Sequence, residues 1–335
     1  MPDLRENNLR LNRREIKQKK TVLESKPVTL DVTLTSECNL RCRMCCVRKK
    51  SWEVSRKTLD EVRELFPYIS CTTWQGGEAF LYPGFRRLLD EIHENHNHIV
   101  QTIYTNALLI DRNWMEEIIK GPKTLFLSID SVVPDLYERI RVGASFKTLL
   151  ENLDLINKYR SGAHHEIKLY INSVIMRSNF REMSGIIDFA AEHGVSKVEF
   201  SPVEGDLKEE NIFRYPDRES SDFIARMRPE LEAMAAEKGV EVFNRLPYEG
   251  MLCDKDLREN TGEGLFCTLP WTFLFILAGG LVIPHGSCKK PVGDVNRQGI
   301  LEIWNGAPMQ EYRRRLAEGN FRDWCGENLN WMDII

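Results

Sequence analysis

The sequence predicts an α/β fold, with a partial (β/α)6 TIM-like barrel followed by a small C-terminal α+β cap. Up to about residue 205 of the 335, strand-like and helix-like segments alternate, as they do in parallel sheets built from βαβ units. From about residue 261 the pattern changes to a hairpin, a loop and a short helix. The chain is therefore expected to form one large domain and one smaller domain.

The barrel strands are expected at residues 29–34, 71–74, 99–104, 124–129, 167–175 and 197–200. The amphipathic stretches 59–66, 84–93, 114–119, 146–159 and 180–193 are expected to be the helices between them. A full eight-unit barrel needs more chain than this region offers, so the barrel is expected to be partial. We place an N-terminal basic arm at 1–27, the barrel at 28–205, a connector at 206–260 and the C-terminal domain at 261–335.

Composition and charge restrict the class of protein. The chain is 42% hydrophobic and 29% charged, as in globular domains, and its net charge of −4 gives no electrostatic case for nucleic acid as a partner. The basic residues near the N-terminus are expected to form a solvated helix or arm. The sequence shows no signal peptide and no membrane-spanning stretch, so we expect a cytoplasmic protein without a membrane partner. Its nine cysteines fit a reducing compartment.

Three cysteines follow the first predicted strand, in the pattern Cys38-x3-Cys42-x2-Cys45. Barrel active sites lie at the carboxyl ends of the strands, where this loop is expected. Three thiolates on one loop can hold three corners of a 4Fe–4S cluster and leave the fourth iron open to a small chelating molecule. A structural zinc loop is the alternative, but the adjacent Cys46 is a poor fourth ligand because neighbouring residues rarely both reach one tetrahedral ion.

Polar residues also follow the later strands. After the second strand comes Gly76-Gly77-Glu78, where glycines let the backbone approach a ligand and a carboxylate or carbonyl can accept from an ammonium group. Further polar side chains are Asn106, Ser128, Asp130 and Arg141 at or beyond strand ends, and Asn172 on the fifth strand. The alternative role for each of these is loop capping or surface pairing.

The cysteine loop and the segments after it resemble the motifs of the radical S-adenosylmethionine (SAM) enzymes. In that family three cysteines hold the 4Fe–4S cluster, and a Gly-Gly-Glu-Pro segment binds the amino group of SAM. Here Ala79 replaces the proline, and Ala107 replaces the glycine of the family's Thr-Asn-Gly step. The resemblance implies that Cys38, Cys42 and Cys45 hold the SAM cluster. It also implies that Gly76–Glu78, with some of Asn106, Ser128, Asp130, Arg141 and Asn172, bind SAM.

The C-terminal region resembles the SPASM or shortened "twitch" extensions of these enzymes, which bind auxiliary iron–sulfur clusters. The segments that carry the likeness include Cys267-Thr-Leu-Pro-Trp271, Gly280-Leu-Val-Ile-Pro284 and Ile303-Trp304-Asn305. The full set of seven SPASM cysteines is absent, so the resemblance implies at most one auxiliary cluster, held by Cys267, Cys288 and Cys325. Its fourth ligand could be His285, Cys253, a small molecule or nothing, and a metal-free relic is the alternative.

The resemblance implies reductive cleavage of SAM and abstraction of a substrate hydrogen atom, with electrons from a flavodoxin- or ferredoxin-type donor. We expect the oxidation or rearrangement of a small metabolite. One alternative is maturation of a ribosomally made peptide by crosslinking, oxidation or epimerisation, and another is a non-catalytic metal-binding scaffold. Cys46, Cys71 and Cys253 are candidate hydrogen donors to a substrate radical, although buried free cysteines are common and the structural role is favoured for each.

Overall fold

The computed structural model describes residues 3–45, 47, 51–246, 258–260, 265–286, 288, 290–320 and 324. The strands are β1 (Thr29–Thr33), β2 (Cys71–Gln75), β3 (Val100–Thr105), β4 (Lys123–Ser128), β5 (Ile167–Ile175), β6 (Lys197–Pro202), β7 (Glu241–Asn244), β8 (Arg258–Asn260), β9 (Leu265–Cys267), β10 (Phe273–Ile276), β11 (Leu281–Ile283) and β12 (Gly293–Asp294). The α-helices are α1 (Leu4–Lys17), α2 (Arg56–Leu65), α3 (Phe85–Asn95), α4 (Arg112–Ile118), α5 (Pro134–Ile140), α6 (Phe146–Ser161), α7 (Met183–Glu192), α8 (Arg218–Lys238), α9 (Leu269–Thr272), α10 (Ile300–Trp304) and α11 (Ala307–Ala317).

Ten strands form one sheet, in the order β12-β11-β10-β1-β2-β3-β4-β5-β6-β7. From β10 to β7 all neighbours are parallel, while β11 and β12 pair antiparallel at one end. The predicted partial βα barrel with a C-terminal α+β part is confirmed. The sheet is wider than expected, because β7 joins β6 from the segment that we assigned to the connector, and β10 joins β1 from the C-terminal segment.

Side-chain alternation explains how the strands face the barrel and the helices. In β1, Leu30 and Val32 are fully buried between sheet and helices, whereas Asp31 between them points to the barrel interior, whose cavity it lines. Helix α2 buries the apolar stripe that contains Leu59 and Val62 against the sheet. Since the parallel strands share one direction, their carboxyl ends meet at one edge, where the cysteine loop begins.

The N-terminal arm is not fully solvated, contrary to the prediction. Asn12 of α1 is buried and donates from Nδ2 to the Trp271 carbonyl at 2.6 Å. The arm's Thr21 and the C-terminal segment's Pro270 both accept from the buried guanidinium of Arg313, each at 2.8 Å. The arm also buries Ile16 and Leu23 in the hydrophobic core, which its overall basic composition did not predict. The N-terminal arm and the C-terminal segment are thus joined beside β10.

None of the helices in the described part of the chain combines the length and the apolar character that a membrane crossing requires.

Candidate functional site

The cysteine loop leaves β1 at the carboxyl edge of the sheet. Cys38, Cys42 and Cys45 are half-buried free thiols, and their charged forms lie close enough to repel one another. Burial raises the pKa of Cys38 to about 11 and also raises the pKa of Cys42 above its usual value. Both groups therefore stay protonated until a cation compensates the thiolate charge, as in metal sites that release protons when they load.

The Gly-Gly-Glu segment lies directly against the start of this loop. Gly77 N donates to the Thr35 carbonyl at 2.7 Å, and Glu78 N donates to the Glu37 carbonyl at 2.8 Å. A Cβ atom on Gly76 would lie 2.4 Å from Thr35 O, and one on Gly77 would lie 2.2 Å from Glu37 O. These contacts are with backbone, so only glycine allows the two segments to approach this closely.

Glu78 is fully enclosed, and both of its carboxylate oxygens accept from the next strand end. Thr105 Oγ1 donates to Oε1 and Asn106 N donates to Oε2, each at 2.9 Å. Burial raises the pKa of Glu78 to about 7, and these hydrogen bonds oppose the rise. Because the carboxylate is bonded within the protein, the arrangement favours backbone carbonyls of the segment as the acceptors for a ligand's ammonium group.

Asn106 links the third strand end to the cysteine loop. Its Nδ2 lies 2.9 Å from Asn39 Oδ1 and 3.9 Å from Cys38 Sγ. The next residue, Ala107, has φ 65°, which is the left-handed conformation that the family's glycine adopts without strain. The partly buried hydrogen bond from Asn152 Nδ2 to the Ala107 carbonyl, at 2.8 Å, stabilises this turn.

Asp130 and Arg141 form a buried ion pair behind the cysteine loop. Arg141 Nη2 lies 2.8 Å from Asp130 Oδ2, and Arg141 Nη1 lies 4.0 Å from Cys42 Sγ. Burial raises the pKa of Asp130, while Arg141 and a hydrogen bond from Val174 N oppose the rise. Arg141 Nε is enclosed and meets no acceptor in the described part of the chain, so it has a hydrogen bond to offer a ligand.

Ser128 ends β4 and lies beside Asn172, which is three residues before the end of β5. Asn172 lines a cavity inside the barrel and accepts from Ser201 Oγ at 3.2 Å. Among the described residues, neither side chain hydrogen-bonds to the cysteine loop.

The residues present fit a 4Fe–4S cluster on the cysteine loop. The three free thiols lie on one loop. The positively charged Arg141 lies beside Cys42, and the Asn106 amide lies beside Cys38. Cationic and hydrogen-bonding neighbours of this kind stabilise thiolate ligands. No three His, Cys, Asp or Glu side chains of the described ranges are grouped to hold a single metal ion. A 4Fe–4S cluster differs from a site for a single metal ion, because each cysteine binds a different iron of the cluster.

The C-terminal candidates are only partly described. Cys267 and Cys288 are buried, and Cys288 N donates to the His285 carbonyl at 2.9 Å. The His285 ring packs edge-on against Phe273, and burial lowers its pKa to about 4, with Arg245 adding to the effect. Cys325, Cys253 and Cys46 lie outside the described residues. The auxiliary cluster therefore stays a prediction.

Cys71 is not brought to the cysteine loop. It begins β2 at the amino edge of the sheet, whereas Gly76 follows the same strand at the opposite edge. Its role as hydrogen donor stays a prediction.

Sequence reasoning missed the charged wall of the barrel interior. A cavity of about 290 Å³ is lined by Asp31, Glu199, Arg245 and His285, among others. Arg245 Nε lies 2.8 Å from Glu199 Oε1. Asp31 and Glu199 could have been predicted to line the barrel interior, because each is a charged residue at an inward position of a strand otherwise made of apolar and β-branched residues.

Comparisons with known proteins agree with this geometry. The pattern of the radical SAM superfamily matches residues 32–190, and that of the SPASM iron–sulfur cluster-binding domain matches residues 267–327. The first match contains the cysteine loop and every strand-end residue described above. The second begins at Cys267 and contains Cys288 and Cys325.

Two relatives in sequence illustrate the similarity. The chain is 25% identical to a "Probable GTP 3',8-cyclase" of Methanococcus aeolicus, over 54% of this chain and 62% of the relative. It is also 25% identical to the tungsten-containing aldehyde ferredoxin oxidoreductase cofactor-modifying protein of Pyrococcus furiosus, over 50% of this chain and 49% of the relative. The matched part spans about half to three fifths of these proteins.

Two solved structures share the fold. Streptococcus suis SuiB bound to S-adenosylmethionine superposes with a TM-score of 0.63 at 18% identity, covering 92% of this chain and 72% of SuiB. The protein anSMEcpe with bound AdoMet and the Cp18Cys peptide gives 0.63 at 19% identity, covering 86% of this chain and 82% of anSMEcpe. At these identities the likeness concerns the fold alone.

Proposed function

Since the chain belongs to the radical SAM superfamily and carries a C-terminal SPASM domain, we propose that it cleaves SAM and takes a hydrogen atom from a substrate in the barrel cavity. The observation that carries the proposal is the convergence of the cysteine loop, the Gly-Gly-Glu segment and the Asp130–Arg141 pair at one edge of the sheet. A 4Fe–4S cluster, when bound, supplies the electron that splits SAM into methionine and a 5′-deoxyadenosyl radical.

The chain's own residues bind and orient SAM in this proposal. Backbone carbonyls of Gly76 and Gly77 accept from its ammonium group, and Arg141 Nε donates to its carboxylate. Asp130 holds the guanidinium in place, so Asp130 acts as a positioning residue. A substrate bound in the barrel cavity keeps water and stray hydrogen donors from the radical.

The test is the formation of 5′-deoxyadenosine from SAM by anaerobically reconstituted protein reduced with dithionite, quantified by liquid chromatography and mass spectrometry. The wild type is expected to form 5′-deoxyadenosine and methionine, and the Cys38→Ala/Cys42→Ala/Cys45→Ala variant is expected to form neither. A folded wild type that takes up iron and sulfide yet leaves SAM intact would make the chain a non-catalytic scaffold.

For the substrate we propose a small polar metabolite, because the cavity is compact and lined by charged side chains. A ribosomally made peptide is the second candidate, since the fold-similar SuiB was solved bound to its precursor peptide SuiA. The discriminating measurement adds size-separated extract of cells that carry the gene to the SAM-cleavage assay. Faster cleavage with the small-molecule fraction supports the metabolite, and faster cleavage with the peptide fraction supports the second candidate.

One auxiliary cluster in the C-terminal domain is part of the proposal, with Cys267, Cys288 and Cys325 as ligands and His285 as a candidate fourth. The support is that Cys267 and Cys288 are both buried in the region that matches the SPASM pattern. The triple cysteine variant of the SAM loop should retain about four irons per chain after reconstitution if this cluster forms. Iron near zero in the folded variant would make the C-terminal domain metal-free.

We further propose a reducing compartment, the cytoplasm, and a flavodoxin- or ferredoxin-type electron donor. The six cysteines that the structure describes are free, which supports a reducing environment. Addition of reduced flavodoxin in place of dithionite tests the donor, and SAM cleavage at a comparable rate is the expected result.

A further inference from the structure

The barrel cavity carries an unbalanced negative charge on its described walls. It holds about 290 Å³, or roughly ten water volumes. On one wall Glu199 is paired with Arg245, whose Nε lies 2.8 Å from Glu199 Oε1. The remaining acidic group on the described walls is Asp31.

Asp31 lies in the middle of β1, between strand neighbours that do not neutralise it. Phe275 of β10 pairs with it on one side and Thr73 of β2 on the other. A hydrogen bond from Thr73 gives partial compensation, but Asp31 Oδ1 is enclosed with no hydrogen-bond donor among the described residues. Burying an uncompensated carboxylate is costly, so such groups are normally paired or protonated.

The position of Asp31 separates it from the SAM-binding edge. Gly76 lines the cavity directly after the end of β2, whereas Asp31 lies two residues before the end of β1. Two residues of strand correspond to about 6.6 Å, so Asp31 faces a deeper part of the same cavity. The aromatic side chains of Tyr104 and Phe275 also line this cavity.

We propose that the cavity binds a primary ammonium group of the substrate, with Asp31 as its counter-ion and Tyr104 and Phe275 as aromatic walls. A carboxylate combined with aromatic faces is a favourable environment for an ammonium ion, because both attract the cation while the rings exclude water. The two oxygens of a carboxylate share its charge, so a cation in the cavity neutralises the group through either oxygen. The proposal rests on the proposed function and names the chemistry of its substrate.

The unliganded state of Asp31 agrees with this assignment. Burial raises its pKa to about 7, against a usual value near 3.8, so the empty cavity holds the carboxyl partly protonated. An ammonium group that enters favours the ionised form, because an opposite charge nearby stabilises it. The ammonium could belong to a lysine side chain of a peptide or to a small amine such as an amino sugar, and the experiment separates these sources.

The test uses the full chain, reconstituted anaerobically and saturated with SAM, in isothermal titration calorimetry. The peptide-type probe is Nα-acetyl-lysine methylamide, with the norleucine analogue as its uncharged counterpart. The metabolite-type probe is glucosamine, with glucose as its counterpart. Each pair differs chiefly in the ammonium group, so the ratio of affinities within a pair reports the recognition of that group.

At least one ammonium probe is expected to bind about tenfold more tightly than its uncharged counterpart. In Asp31→Asn the preference should fall below about twofold. The control Asp154→Asn, which removes an exposed carboxylate on the outside of α6, should keep it. The pair that shows the preference identifies a peptide or a metabolite as the source.

Equal affinity within both pairs, no measurable binding of any probe, or a preference that survives Asp31→Asn would each overturn the inference. The SAM-cleavage assay on the same wild-type preparation separates this failure from failure of the proposed function. If the protein cleaves SAM but shows no preference for the ammonium probes, only the proposed ammonium site is rejected. If it shows the preference but does not cleave SAM, only the proposed radical chemistry is rejected.

Discussion

Arg141 joins the buried acid Asp130 to the cysteine loop through a single guanidinium group. Its Nη2 meets Asp130 at 2.8 Å, its Nη1 lies 4.0 Å from Cys42 Sγ, and its Nε is left for a ligand. Lysine keeps the positive charge, but its single ammonium group cannot reproduce the planar arrangement of N–H donors in the guanidinium. Arg141→Lys is therefore expected to weaken SAM binding by roughly tenfold, measured by equilibrium dialysis on reconstituted protein.

The matched control is Arg139→Lys, two residues earlier and exposed at the end of α5. It should bind SAM as the wild type does. Equal affinity for SAM in Arg141→Lys and Arg139→Lys would show that Arg141 has no part in SAM binding.

Asp31 should make the stability of the substrate-free protein fall as the pH rises. Its folded pKa of about 7 exceeds the unfolded value, so the folded state retains a proton that the unfolded state loses between about pH 4 and pH 7. The Asp31→Asn variant lacks this decline in stability. The difference in melting temperature between the variant and the wild type should therefore increase from pH 5.5 to pH 8. Differential scanning fluorimetry across this range is the measurement, with Asp154→Asn as the control.

A constant difference in melting temperature between Asp31→Asn and the wild type across the pH range would contradict a raised pKa at Asp31. Glu78 has a similar pKa and titrates in the same window in both proteins, so it cancels in the comparison.

At the scale of single residues, sequence spacing predicted the cysteine loop and the Gly-Gly-Glu segment, because their members are close along the chain. The Asp31, Glu199 and Arg245 wall was missed, because its members come from strands far apart in sequence. Their proximity depends on the register of the sheet and on Arg245 pairing with Glu199 across β6 and β7, which no local pattern encodes.

At the scale of elements, the close contact between the segment after β2 and the loop after β1 is the most sequence-restricted feature. A methyl group on Gly77 would lie 2.2 Å from Glu37 O and 2.6 Å from Ser36 O, both backbone atoms that cannot move independently. Gly77→Ala is therefore expected to cost at least about 2 kcal/mol of unfolding free energy and to lower iron uptake by the loop. Denaturant unfolding and iron counting after reconstitution measure the two effects.

Gly162→Ala is the control, since its φ is −104° and the nearest atom to an added Cβ would be Tyr159 O at 3.9 Å. It should change the unfolding free energy by less than about 0.5 kcal/mol and leave iron uptake intact. If Gly77→Ala takes up iron as the control does, the close approach is not needed to form the loop.

The six barrel strands and the helices between them were predictable from their periodicity, except for α5, whereas the edges of the sheet were not. All six expected barrel strands are present. The additional strands β7 and β10 are four residues each, and their parallel pairing with β6 and β1 joins segments distant in sequence. Short strands give little periodic signal in the sequence. Parallel strands are also not joined by a hairpin turn, so no turn motif predicts their pairing.

At the scale of the whole molecule, Arg313 joins the N-terminal arm to the C-terminal segment. It is fully buried and donates to Pro270 O and Thr21 O, each at 2.8 Å. Arg313→Ala would leave these carbonyls unpaired, so we expect it to cost about 3 kcal/mol or more of unfolding free energy and to expose the N-terminal arm to protease. Denaturant unfolding and limited trypsin digestion are the measurements.

The adjacent Arg314→Ala is the control, because Arg314 is half-exposed and pairs only with surface acids of its own helix in the described structure. Its removal should cost less than about 1 kcal/mol and leave the arm protected. Equal losses of unfolding free energy in the two variants would mean that the hydrogen bonds of Arg313 do not hold the N-terminal arm against the C-terminal segment.

The central claim is that SAM binds to a cluster on the Cys38–Cys45 loop at the carboxyl edge of the barrel. Electron paramagnetic resonance of the reduced, reconstituted protein tests it most directly. We expect a reduced-cluster signal whose shape changes when SAM is added, and no SAM-dependent signal in the Cys38→Ala/Cys42→Ala/Cys45→Ala variant. A wild-type signal that SAM leaves unchanged, or a SAM-dependent change that persists in the triple variant, would contradict the claim.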